Sequence, residues 1–176
     1  MEHKLLKSSK ISFSKNVNNH YPEILTDEAL RFLTKLHENF NAERLQLLSR
    51  RLDQQNLFDD GTFPKFPSET EDIREREWVA GNIPHDLQDR RVEITGPIDR
   101  KMIINALNSG AKTFMADLED SNVPSWENTI QGQQNLKDAT KKTISFIDLK
   151  KNKSYKLNPK TAVLLLRPRG LHLNER

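Results

Sequence analysis

Two short clusters hold most of the side chains in this sequence that could do chemistry. The first is Asp117-Leu118-Glu119-Asp120-Ser121-Asn122, with three carboxylates inside four residues. Carboxylates crowded into one pocket repel one another unless a cation, a proton or a basic group lies among them. The competing reading is an acidic loop that caps the following helix, with Asp120 or Ser121 bonding backbone donors. The second cluster is Arg167-Pro168-Arg169-Gly170-Leu171-His172. A guanidinium can hold a carboxylate by two parallel hydrogen bonds or stabilise a developing oxyanion; the competing reading is a salt bridge tying a strand end to its neighbour. His172 taken alone is more often a packed or surface histidine than a catalyst or ligand.

The elements around these clusters decide whether they can meet. Val92-Glu93-Ile94-Thr95 reads as a strand, Gly96-Pro97 as a turn, and Ile98 to Ser109 as a helix with Gly110 at its C-terminal cap. Thr113 to Ala116 is a second strand, and if Asp117 still belongs to it, Asp117 and Glu119 point to the same side. Pro124 suits the first turn of a helix from Ser125 to Lys142, despite Gly132 inside it. Ser145 to Leu157, with Lys150-Lys151-Asn152-Lys153 at its middle, reads as a surface excursion or hairpin. The continuous apolar run Ala162 to Leu166 is a third strand, expected to be fully buried. Strand, helix, strand, helix, strand at this spacing argues for βαβ units and a parallel sheet. In an open sheet or a barrel, function gathers at the carboxyl ends of the strands. Arg167 and the group Asp117, Glu119 and Asp120 would then line one mouth, suited to an anionic carbonyl compound and Mg²⁺.

Upstream, residues 1 to 20 carry Lys, Ser and Asn with few apolar anchors and predict a frayed or loosely docked tail. Thr26 can cap a helix whose apolar stripe runs through Ala29, Leu33, Leu36 and Phe40 and continues at Leu45, Leu48 and Leu52. A break is expected near Asn41 and an end at Asp59-Asp60-Gly61. Thr62 to Pro84 has no sustained period and reads as an irregular connection. Within it, Arg74-Glu75-Arg76-Glu77 would be a solvated face and Trp78 an anchor against the body.

Composition narrows the classes. With 28 Lys and Arg against 25 Asp and Glu, the formal charge is +3, and the basic residues are dispersed rather than gathered into an aromatic-laced stripe, which argues against nucleic acid as a partner. The longest apolar run is far short of the roughly 20 residues that span a bilayer, and the first residues lack a signal peptide's apolar stretch. No membrane partner and a cytoplasmic address are therefore expected. Nothing in the sequence fixes an oligomeric state.

At the two clusters the sequence resembles malate synthase of the A type. The text that carries the resemblance is DLQDRRVEITGPIDRKMIINALNSGAKTFMADLEDSNVPSWEN, GQQNLKDATKKTISF and LLLRPRGLHLNER. The similarity begins around Leu25 and is strongest from Asp86 to Arg176. The fold it implies is α/β: an N-terminal helical clasp followed by the first part of a TIM (β/α)8 barrel, truncated after about three βα units, since a full barrel takes about 250 residues. The implied organisation is a tail at 1–20, the clasp at 21–60, an irregular connection at 61–90 and the start of the barrel at 91–176.

The resemblance also implies a reaction: acetyl-CoA condenses with glyoxylate, and malyl-CoA is hydrolysed to malate and CoA in the glyoxylate bypass. Arg167, the first arginine of RPRG, would be catalytic, stabilising the enolate oxygen and contacting glyoxylate. Asp117, Glu119 and Asp120 would support Mg²⁺ through water or through hydrogen bonds to its ligands. Ser121 or Asn122 would approach the CoA moiety. The direct Mg²⁺ ligands and the aspartate that removes the methyl proton are expected beyond Arg176, which makes the chain an N-terminal fragment expected to be inactive alone. Two alternatives stand beside this reading: a non-catalytic relic or docking module derived from malate synthase, and a related Mg²⁺-dependent CoA-ester lyase. The match around Gly96-Pro97 and Asn105-Ala106-Leu107-Asn108 favours malate synthase over the lyases.

Overall fold

A computed structural model describes Ile11, Phe13 and residues 22–173. The looseness expected of residues 1–20 otherwise falls outside the described residues. Phe13 sets its ring edge-on to Trp126, with centroids 6.0 Å apart. The chain divides into two compact units, one built from Met1–Phe32 and Pro84–Arg176, the other from Leu33–Ile83.

The long helix α1 (Asp27–Asp59) starts where expected, with the Thr26 hydroxyl accepting from the Ala29 N–H at 3.2 Å and Asp27 and Glu28 in the first turn. It runs through Asn41 without the expected break. Asn41 turns its Oδ1 to the Arg44 Nε–H one turn on, at 3.1 Å, so its side chain does not compete with the helix for backbone groups. The helix ends at Gly61, whose φ of +86° lets Gly61 N–H reach Phe58 O and Thr62 N–H reach Leu57 O, the paired bonds of a Schellman cap.

Between Thr62 and Ile83 lies one short helix, α2 (Glu71–Glu75), preceded by a single 3₁₀ turn. Arg74 to Glu77 are exposed, as expected of a solvated face, and Arg74 also holds this turn: its guanidinium donates to Pro67 O at 3.0 Å and to the Thr70 hydroxyl, and stacks 5.2 Å above the Phe66 ring. Trp78 does not anchor the segment. It is 68% exposed, because residues 77–83 run without a helix or strand that could fold the indole back onto a surface.

The other unit carries three parallel strands in the order β1 (Glu93–Gly96), β2 (Thr113–Asp117), β5 (Val163–Arg167). The crossovers contain α3 (Arg100–Leu107) and α4 (Trp126–Thr140), and an antiparallel hairpin, β3 (Ser145–Asp148) with β4 (Lys153–Lys156), precedes β5. This is the strand and helix order expected. Helix α3 starts two residues later than the sequence suggests because Asp99 is its cap, accepting from Met102 N–H at 3.0 Å. Ile98 is thereby left outside the helix, buried against Gly132 of α4. Phe114 and Ala116 of β2 pack with Ile103, Ile104 and Leu107 of α3 and Leu136 and Ala139 of α4 in one core. Asn108 ties the end of α3 to the end of the hairpin, donating to Lys156 O of β4 at 2.8 Å and accepting from Asn158 N–H just after it at 2.9 Å.

Strand β5 is not fully buried. It pairs with β2 alone among the described strands, and Leu166 stands 53% exposed. An apolar run signals a strand fit to be covered on both faces, but the cover has to come from other elements. No helix among the described residues is long and apolar enough to cross a membrane.

Helix α4 ends in a second Schellman cap, with Lys142 N–H to Ala139 O and Thr143 N–H to Asp138 O, both at 2.9 Å. Here the left-handed position is held by Lys142, at φ 58°. A side chain in that region costs about 1–2 kcal/mol. Lys142→Gly is accordingly expected to raise the melting temperature by about 2–4 °C per kcal/mol recovered; a thermal melt showing no rise would contradict the cap assignment.

Candidate active site

Strands β2 and β5 end together. Asp117 pairs in register with Arg167, and Leu118 N–H donates to Arg167 O at 3.1 Å, so the two clusters open at one end of neighbouring parallel strands. This juxtaposition is the one the sequence predicts.

Asp117 is 1% exposed and organises the turn that follows it. Its Oδ1 accepts from Glu119 N–H at 2.8 Å and Asp120 N–H at 3.3 Å, while Oδ2 accepts from both the N–H and the hydroxyl of Ser121 at 3.0 Å. The following helix is not capped by Asp120 or Ser121, as the competing reading expects: Ser125 caps α4, its hydroxyl accepting from Asn128 N–H at 3.2 Å, while Asp117 holds the donors of the turn. The readable signal was an aspartate closing a strand with a hydroxyl residue four positions on, a spacing at which an Asp side chain can bond its own downstream backbone.

Arg167 gathers all three carboxylates. Its Nε lies 3.0 Å from Asp117 Oδ1 and 3.3 Å from Glu119 Oε2, and its Nη2 donates to Asp120 Oδ2. The Nε contacts are ion pairs without hydrogen-bond geometry, and the buried Nε–H has no hydrogen-bond partner among the described residues. The nearby Asn122 Nδ2 is likewise buried and unpaired. Burial works to raise the Asp117 carboxyl, but the Glu119 and Ser121 backbone donors, the Ser121 hydroxyl and the Arg167 charge outweigh it and hold the group below its ordinary value. The hydrogen bond to Asp120, against the opposing effect of burial, and the charges of Asp117, Asp120 and Glu119 keep the guanidinium more firmly protonated.

One guanidinium among three carboxylates leaves a formal charge of 1 − 3 = −2 on the cluster. Such a site favours a further cation, and oxygen donors of this kind suit Mg²⁺. Among the described residues, no three His, Asp or Glu side chains form a group that could hold a metal ion directly. Asp117 directs its oxygens into the turn and toward Arg167, whereas Glu119 and the 78% exposed Asp120 side chain keep lone pairs that could receive water from a metal. The donor set therefore fits support of a cation rather than its capture. His172 folds over Gly170, where an added Cβ would lie 2.5 Å from its Cε1, and no contact links it to the carboxylates among the described residues.

A family model described as malate synthase, N-terminal domain, matches residues 9–72. The chain is 57% identical over 156 residues to malate synthase of Myxococcus xanthus, an alignment covering 89% of this chain and 29% of that protein. It is 49% identical over 169 residues to malate synthase A of Escherichia coli, covering 96% and 32%. This chain is related to the malate synthases and matches their N-terminal portion. The glyoxysomal malate synthase of Glycine max is 50% identical over 155 residues, covering 88% and 28%. The chain thus spans roughly 30% of the length of these malate synthases. Both clusters fall in the stretch where the notable text of the sequence already resembled that family.

Proposed function

We propose that this chain supplies the N-terminal helical clasp and the first three strands of a TIM barrel to a Mg²⁺-dependent malate synthase, which condenses acetyl-CoA with glyoxylate and hydrolyses malyl-CoA to malate and CoA. The observation that carries the reading is the meeting of Arg167 with Asp117, Glu119 and Asp120 at the shared end of β2 and β5. In a barrel that end is the catalytic face.

In this reading the Arg167 guanidinium binds the oxygen that becomes negative when the acetyl methyl group loses its proton, and it orients glyoxylate for attack at the aldehyde carbon. Among the described residues its Nη1 carries no hydrogen bond, leaving that edge for a substrate oxygen. Mg²⁺, when bound, would supply further positive charge where negative charge develops. Glu119 and Asp120 hold water near the metal, and Asn122, with its buried free amide N–H, receives an oxygen of the CoA chain. A cytoplasmic address accompanies the reading.

The 176-residue chain by itself is expected to release no CoA thiol from acetyl-CoA and glyoxylate. A hybrid in which this chain replaces the aligned N-terminal portion of the Escherichia coli relative is expected to release thiol, dependent on both glyoxylate and Mg²⁺. A folded hybrid that is silent, with the parent enzyme active in the same assay, would remove the catalytic reading and leave the docking-module alternative.

A further inference from the structure

We propose that Asp117 is the positioning residue for Arg167: the buried carboxylate that fixes both the guanidinium and the Glu119–Ser121 turn before substrate arrives. The inference rests on the malate synthase reading and deepens it. Three carboxylates surround Arg167, but they differ in what they can hold. The Asp120 side chain is 78% exposed and that of Glu119 24% exposed, so water screens the first strongly and the second in part. Asp117 is 1% exposed and rests at the end of a central strand.

Its geometry distinguishes an anchor from a passing ion pair. Four hydrogen bonds from the turn leave the Asp117 carboxylate little freedom to rotate. The 3.0 Å approach to Arg167 Nε lies on the strand register Asp117↔Arg167, so the backbones of β2 and β5 set that distance as well. The Nε and Nη2 atoms are thereby held among the carboxylates, and Nη1 makes no hydrogen bond among the described residues. Glu119 and Asp120 owe their own positions to the same carboxylate, since it binds their backbone N–H groups. Asp117 thus acts on the reaction through Arg167 and does not touch the reacting atoms.

The test uses the active hybrid. Asp117→Asn keeps the size of the side chain and removes its charge; it is expected to lower kcat about 10- to 100-fold, the cost of a misplaced catalytic group, with the KM for acetyl-CoA changed less than twofold. In an Arg167→Lys background the same substitution should lower kcat by less than twofold further, because residues that act as a unit are not additive. A merely structural aspartate would give the same fold-loss in both backgrounds, and that result would overturn the proposal. Should circular dichroism show that Asp117→Asn does not fold, Ser121→Ala decides. It removes one of the four bonds to the carboxylate, and the proposal requires a loss in kcat that disappears in the Arg167→Lys background. A silent unsubstituted hybrid sinks the functional reading itself, whereas an active hybrid with additive losses sinks this inference alone.

Discussion

Arg167→Lys in the hybrid enzyme is expected to lower turnover by on the order of 10²-fold or more, with the fold unchanged by circular dichroism and melting temperature. Lysine keeps the charge but replaces a planar fork with a single rotating ammonium. The guanidinium uses several edges at once: Nε faces Asp117 and Glu119, Nη2 donates to Asp120, and Nη1 makes no hydrogen bond among the described residues, the edge that the proposed reading gives to substrate. An ammonium drawn into that group of carboxylates has no second rigid edge to present outward. The fold should survive because the turn is held by Asp117 accepting from Glu119, Asp120 and Ser121, none of which depends on the arginine. Thiol release within a few-fold of the unsubstituted hybrid would dismiss Arg167 as the catalytic arginine.

Gly132→Ala is expected to lower the melting temperature, although alanine is favoured over glycine by about 1 kcal/mol in a helix interior. Gly132 lies mid-way along α4, and a Cβ there would sit 1.9 Å from Ile98 Cδ1, 2.5 Å from Cγ1 and 3.2 Å from Cβ. The first of these atoms could swing aside in an open site, but Ile98 is 1% exposed and is held between α3 and α4. Relief then requires the helix itself to move. Overpacking of this kind costs about 1–3 kcal/mol, which at about 2–4 °C per kcal/mol is visible in a thermal melt of a chain this size. Ile98→Val should recover part of the loss in the double variant, because it removes the Cδ1 atom with the worst contact. A Gly132→Ala melt above that of the parent would show that α4 and Ile98 do not approach as closely as described. The consequence for function is direct, since α4 begins five residues after Ser121 and its displacement would pull on the turn around Asp117.

What could be read from the sequence was whatever local rules determine. Alternating and continuous apolar runs placed the three strands, Gly61 and Gly110 marked chain reversals with positive φ, and the hairpin at residues 145–157 followed from charges set between two short β-forming stretches. The meeting of Asp117, Glu119 and Asp120 with Arg167 was also legible, because parallel strands joined by helices must open at the same end. What escaped were properties that belong to neighbours far away in sequence. The burial of Leu166 depends on which elements cover β5, the exposure of Trp78 on whether the segment beside it folds back, and the uninterrupted passage of α1 through Asn41 on the partner its amide finds.

The site shows the same division at finer scale. Residue types and spacing in the sequence determined that three carboxylates and a guanidinium would share one mouth, and resemblance to the malate synthases singled out Arg167 as the arginine to test. Tertiary structure alone decided that Asp117 is the inner member of the group. Position along a strand says which side a residue points to, but burial, the convergence of four hydrogen bonds and the in-register contact with Arg167 arise only when β2, its turn and β5 are brought together in space.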